Sequence, residues 1–151
     1  MNDLFCDLCY DGKLEEVKEL YEKNKNILDI HWDEGGAFKL ASSNGHLDII
    51  KWLCEIGQFD YVYNDGFSEL CEIGNFEGIK FLYEKGISNA DFGFEILCNR
   101  NRIIIAKWLY EIEKMDINEC VYAYKLACSQ RAIDIIQWFC EISTRNFNIM
   151  H

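Results

Sequence analysis

Ala37-Phe38-Lys39-Leu40-Ala41-Ser42-Ser43-Asn44-Gly45-His46-Leu47-Asp48-Ile49-Ile50-Lys51-Trp52-Leu53 is the stretch that decides the fold of this chain. Its second half repeats apolar side chains at i, i+3 and i+6 (Leu47, Ile50, Leu53), the spacing of one helix face and not the alternation of a strand. Gly45 stands between the two apolar runs, where a chain reversing on itself needs a positive φ that Gly adopts at little steric cost. The stretch therefore reads as helix, tight turn, helix.

The same pattern recurs on both sides. Residues 5–12, 38–45, 67–74, 94–101 and 124–131 each begin with an aromatic (Phe5, Phe38, Phe67, Phe94, Tyr124) and place Leu or Ala three positions on. Each then has Cys or Ser (Cys9, Ser42, Cys71, Cys98, Cys128) and ends at Gly12, Gly45, Gly74, Asn101 or Arg131, spaced by 33, 29, 27 and 30 residues. A second amphipathic run follows each, at 14–22, 47–55, 76–84, 103–111 and 133–141. A near-fixed period of this size means stacked supersecondary units, each unable to bury its apolar face alone. Asn101 tolerates the left-handed turn conformation; Arg131 is less suited, and a slightly different turn is expected there.

These residues resemble the ankyrin repeat, with Leu40-Ala41, the Gly45-His46 turn and the Ile49-Ile50-x-x-Leu53 second helix as the closest match. The resemblance covers residues 4 to 143. It implies an all-α ankyrin-type solenoid of about five helix-turn-helix repeats with short connecting loops. The expected organisation is a single domain, 1–151, with repeats near 4–33, 34–64, 65–91, 92–120 and 121–145. The Thr-Pro start of the family is absent, and short spacings imply stunted β-hairpin fingers after repeats two, three and four. Divergent, proline-free, Asn- and Ile-rich repeats with Ile-x-Trp-Leu helices resemble those of giant viruses of amoebae.

Composition narrows function. The net charge is −11, so phosphate backbones are repelled and nucleic acid is not an expected partner. No run of ~18 apolar residues suits a membrane span, and Met1-Asn2-Asp3-Leu4 lacks the features of a secretory signal. A cytoplasm, including a host cell's, is the expected location. Eight Cys in a helical chain without that signal read as reduced thiols.

Cys6 and Cys9 form a C-x-x-C, but no second pair completes a zinc site and no βαβ pattern supports a redox motif. Cys9 lies in the small-residue column, where a buried Cys acts as a small hydrophobe. His46 is expected to bridge a turn by a hydrogen bond; His31 and His151 are isolated. Trp52, Phe81, Trp108 and Trp138 share one column of the second helices, expected as core or a partly buried outer face. Asp7 and Glu69 replace the apolar Leu40, Ile96 and Leu126; at Asp7 this fits a polar end cap, while at Glu69 a buried acid would be costly.

The resemblance implies a contact surface on the concave face: Lys39, Ser43, Asn44, Glu72, Ile73, Asn99, Arg100, Ser129 and Gln130 on first helices, with Trp32, Asp33, Tyr61, Tyr63 and Asp65 from loops. No catalytic, cofactor-binding or metal residue is assigned, because no phosphate loop, paired catalytic acids or nucleophile elbow is present. The expected function is a non-enzymatic module that binds another protein, as a monomer or with weak self-association. The alternative is a structural scaffold or self-associating repeat array, since residues 133–142 are apolar on much of their surface.

Overall fold

The structure, a computed structural model, describes residues 1–57 and 63–149, with side chains described for 1–57 and 65–144. Ten helices and no strand occur among these residues. The chain divides into two compact units, Met1–Ser88 and Asn89–His151. The first holds α1 (Asn2–Tyr10), α2 (Leu14–Asn24), α3 (Trp32–Ser43), α4 (Leu47–Ile56), α5 (Tyr63–Ile73) and α6 (Phe76–Glu84). The second holds α7 (Ala90–Asn99), α8 (Ile103–Glu113), α9 (Val121–Gln130) and α10 (Ile133–Ile149). Each consecutive pair is a hairpin. Within the units, first helix packs on first helix: α1 on α3, α3 on α5, and α7 on α9.

All five hairpins close in the same way. Gly12, Gly45, Gly74, Asn101 and Arg131 have φ of 76°, 73°, 76°, 55° and 57°. The residue after each donates its N–H to the carbonyl five positions back: Lys13 to Leu8, His46 to Ala41, Asn75 to Leu70, Arg102 to Leu97 and Ala132 to Ala127. These bonds satisfy carbonyls that a helix end would leave without partners. The altered turn expected at Arg131 does not exist. Helix-end hydrogen bonding holds Arg131 left-handed despite its Cβ, and it alone of the five bears a long side chain there. Arg131→Gly should therefore raise stability by about 1 kcal/mol, read as a higher urea midpoint at unchanged m-value; a fall would show that the arginine side chain contributes more than its backbone costs.

The repeat columns account for the core. Phe5, Phe38, Phe67 and Phe94 are buried, and second-helix aromatics cover Phe5 and Phe94. Trp52 packs on Phe5 (ring centroids 6.3 Å) and edge-on to Tyr21 (5.4 Å), and Trp138 packs likewise on Phe94 (6.3 Å) and Tyr110 (5.2 Å). Such tilted and edge-to-face pairs favour the ring quadrupoles. The Trp column is thus core in Trp138 and half-buried in Trp52, Phe81 and Trp108. Cys9, Ser42, Cys71 and Cys98 are fully buried, and the Ser42 hydroxyl is satisfied by donating to the Phe38 carbonyl at 2.8 Å. Cys128 departs from the column and is exposed. Asp7 is exposed and Glu69 half-exposed, so that column lies at the edge of the core and neither acid is buried at full cost.

Polar side chains tie one hairpin to the next. His46 Nε2 donates to the Tyr10 carbonyl at 2.8 Å, and its ring lies so close to Gly12 that a Cβ there would come within 2.5 Å of Cε1. Asn75 caps α6 by accepting from the Gly78 N–H and donates to the Gly45 carbonyl at 3.1 Å. In the second unit Asn101 donates to Asp134 at 2.8 Å and accepts from the Ile135 N–H at 3.3 Å. His46 therefore has the turn-bridging bond expected of it.

Candidate interaction surface

The connections carry no finger strands among the described residues. Residues 25–31 fold back on α1, where the Asn2 side chain accepts from the Asp29 N–H at 3.2 Å and Asp3 accepts from Trp32 Nε1 at 3.1 Å. Trp32 is still 46% exposed. Trp32 and Asp33, expected in a loop, precede the regular part of α3, from which they are separated by left-handed backbone at Asp33, Glu34 and Gly35 (φ 55°, 52° and 80°). Two non-glycine residues in succession there are uncommon. Asp65, also expected in a loop, lies in the first turn of α5, where its charge complements the exposed N–H groups of the helix start. Tyr63 is the first residue of α5, with its side chain outside the described set; Tyr61 lies outside the described residues altogether.

In the first unit Asp33, Lys39 and Asp65 come together with Glu34, Gly36 and Leu40 around a recess of about 370 Å³ between α3 and α5. Ser43 and Asn44 end α3, and both side chains donate to the Leu40 carbonyl (3.0 and 3.2 Å). Glu72 and Ile73 occupy the same positions one hairpin on, with Ile73 exposed and Glu72 half-exposed. In the second unit Asn99 and Arg100 end α7, and Ser129 and Gln130 end α9, the latter pair exposed. Ser129 donates to Leu126 at 2.8 Å.

Sequence reasoning missed a groove of about 490 Å³ between α7, α9 and the connection after α8. Phe94 and Tyr122 contribute aromatic surface, and Asp91, Glu95, Glu113, Asp116 and Glu119 contribute carboxylates against the lone cation Lys114. The signal was the four-residue spacing of Asp91 and Glu95, which puts both acids on one helix face. Burial, then the Asp91 charge, raises the Glu95 pKa. A raised folded-state pKa means folding favours the protonated form, so this group's contribution to stability falls as pH rises through the carboxylate range. Glu95→Gln should accordingly raise the melting temperature at pH 7, with a gain that disappears on acidification; thermal melts at both pH values check it.

Five buried thiols are poorly suited to nucleophilic work. Burial pushes Cys6 and Cys120 up to about 11 and Cys9 and Cys71 up to about 12, and it raises Cys98 further. At Cys6 the carboxylates of Asp33, Asp3 and Asp7 add to the effect. The thiolate is the reactive species, so burial disfavours the nucleophilic form of both thiols in the C-x-x-C pair. Among the described residues no group of three His, Cys, Asp or Glu is placed to hold a metal ion, and no helix is long and apolar enough to cross a membrane.

Paired helices joined by tight turns, stacked first helix on first helix, define an all-α helical-repeat protein. Residues 5–53 match the family of ankyrin repeats that occur in many copies, and the all-α hairpin stack is consistent with an ankyrin-type solenoid. It is 25% identical over 89 residues to ankyrin repeat protein L66 of Acanthamoeba polyphaga mimivirus, covering 59% of this chain and 15% of that one. It is 37% identical over 57 residues to the human 26S proteasome non-ATPase regulatory subunit 10, covering 37% of this chain and 25% of that one. The chain thus spans a quarter or less of either relative's own length.

Proposed function

We propose that this chain is a non-catalytic module that binds another protein through the exposed ends of its first helices and the adjoining connections. Ankyrin repeats generally mediate protein–protein contacts. The observation that carries the reading is a contrast between columns. Core columns repeat the same chemistry in every hairpin, whereas the two residues ending each first helix do not: Tyr10-Asp11, Ser43-Asn44, Glu72-Ile73, Asn99-Arg100 and Ser129-Gln130. None of these ten is buried. Stability requires the first kind of column, while specificity is carried by surface residues grafted on the fold. The recess holding Asp33, Lys39 and Asp65 and the acidic groove of the second unit favour a partner with basic side chains, which also suits the net charge of −11.

Affinity capture from cell lysate, followed by mass spectrometry, tests this with Lys39→Glu and Ile73→Glu as controls. Both positions are exposed, so the variants should fold. The expected result is one saturable partner, captured by the parent chain and weakened at least about tenfold by one variant. Capture unchanged in both variants would move the binding face elsewhere; absence of any saturable partner would sink the reading.

A further inference from the structure

Asn44-Gly45 is the only Asn-Gly pair in the sequence. An asparagine in that setting tends to close on itself, because no side chain hinders the next backbone nitrogen from approaching its Cγ. The folded turn opposes this closure at several points. Asn44 has φ −103° and ψ −1°, so the Gly45 nitrogen eclipses the Asn44 nitrogen and not the Cβ, which ring closure requires. The Gly45 N–H donates to the Ser42 carbonyl at 3.0 Å, which engages the attacking atom. The Asn44 side-chain amide donates to the Leu40 carbonyl at 3.2 Å, which holds Cγ against the helix end. The His46 N–H donates to the Ala41 carbonyl at 2.9 Å. From the next hairpin, Asn75 Nδ2 donates to the Gly45 carbonyl at 3.1 Å. Asn44 itself is exposed, so water reaches it and opening of this one turn is enough to free it.

We propose that Asn44 is a latent deamidation site, shut while the turn between α3 and α4 is formed and released whenever that turn opens. The Gly45 backbone nitrogen attacks Asn44 Cγ and gives up its proton as the new N–C bond forms. The bond from Cγ to Nδ2 breaks, the nitrogen leaves as ammonia, and a cyclic imide remains. Water then opens the imide at either carbonyl, leaving aspartate or isoaspartate at position 44; one water is consumed and one ammonia released, with no change of oxidation state. Neither product can donate to the Leu40 carbonyl, and both put negative charge at the carbonyl end of α3, where the helix dipole disfavours it. Isoaspartate also lengthens the backbone of a turn whose N–H groups at 45 and 46 are registered on the carbonyls at 42 and 41. Each conversion therefore weakens the turn whose opening permitted it, and permanently marks chains that have opened there.

Incubation of the reduced chain at mildly alkaline pH, with and without denaturing urea, tests the proposal when the amide-to-acid mass shift is followed by peptide mapping. Asp11-Gly12 and Asp65-Gly66 already carry acids, so they do not contribute to that shift. In urea, Asn44 should convert faster than every other asparagine of the chain. In the folded chain its rate should be at least about tenfold lower, because reaction is confined to the opened fraction. Asn75→Asp keeps an acceptor for the Gly78 N–H that caps α6 but cannot donate to the Gly45 carbonyl. It should speed folded-state conversion about fivefold and leave the rate in urea unchanged. Equal rates with and without urea, a faster asparagine elsewhere in urea, or a folded Asn75→Asp chain that converts no faster would each overturn the proposal. The two rates of the parent chain decide it even where the variant does not fold.

Discussion

Phe38→Ala should cost about 3–5 kcal/mol, a third or more of the stability expected of a domain this size. Phe38 has no accessible surface, and its ring lies between α3 and α5, with Cε1 directed at Gly66. Its backbone carbonyl also holds the buried Ser42 hydroxyl, so a relaxing α3 would strain a satisfied polar group as well as leave a cavity. Neighbours held by the turn hydrogen bonds of His46 and Asn75 cannot readily collapse into the space. Tyr124→Ala, in the same column of the last hairpin, provides the internal control. Tyr124 is half-buried, so its loss should cost only about 1–2 kcal/mol. Urea unfolding of both variants reads the contrast directly. Equal costs would mean that the column is not buried hairpin by hairpin, and the positional account of the core would fail.

That contrast also marks where the sequence was sufficient and where it was not. Hairpin positions, the aromatic column and the small Cys and Ser column were legible because each depends on one residue type recurring at one register. The turns were legible at glycines but not at Arg131, where hydrogen bonds to Ala127 and Cys128 decide the backbone and the side chain has no vote. Cys128 misled for the opposite reason. Its residue type fits the column, but burial depends on what packs against it, which residue type alone does not encode. Candidate surface residues were only partly legible. Lys39, Asp33 and Asp65 do meet at one recess, yet Trp32 is tied to Asp3 by a contact 29 residues away that no local pattern announces. The acidic groove went unseen because its carboxylates come from a helix and a separate connection, and only the fold brings them together.

A second small column was present in the sequence and went unread: Ala37, Gly66, Gly93 and Ala123, each immediately before its aromatic and each buried. Gly66 supplies the sharpest test of it, because two physical effects there have opposite signs. Gly66 lies within α5, where Ala is the better helix former by about 1 kcal/mol. A Cβ at this position, however, would come within 2.3 Å of Phe38 Cε1, 2.8 Å of Cδ1 and 3.0 Å of the Ser42 hydroxyl oxygen. The ring is fully buried and has nowhere to swing, so overpacking wins, and Gly66→Ala should lower stability by about 1–3 kcal/mol. Removing the obstruction should reverse the sign. In a Phe38→Leu background the methyl meets a shorter side chain, and adding Gly66→Ala should then be neutral or stabilising, a coupling that independent sites do not show. Four urea curves complete the cycle. If Gly66→Ala proves stabilising on its own, α5 does not approach α3 as closely as this packing requires, and propensity rather than contact governs the column.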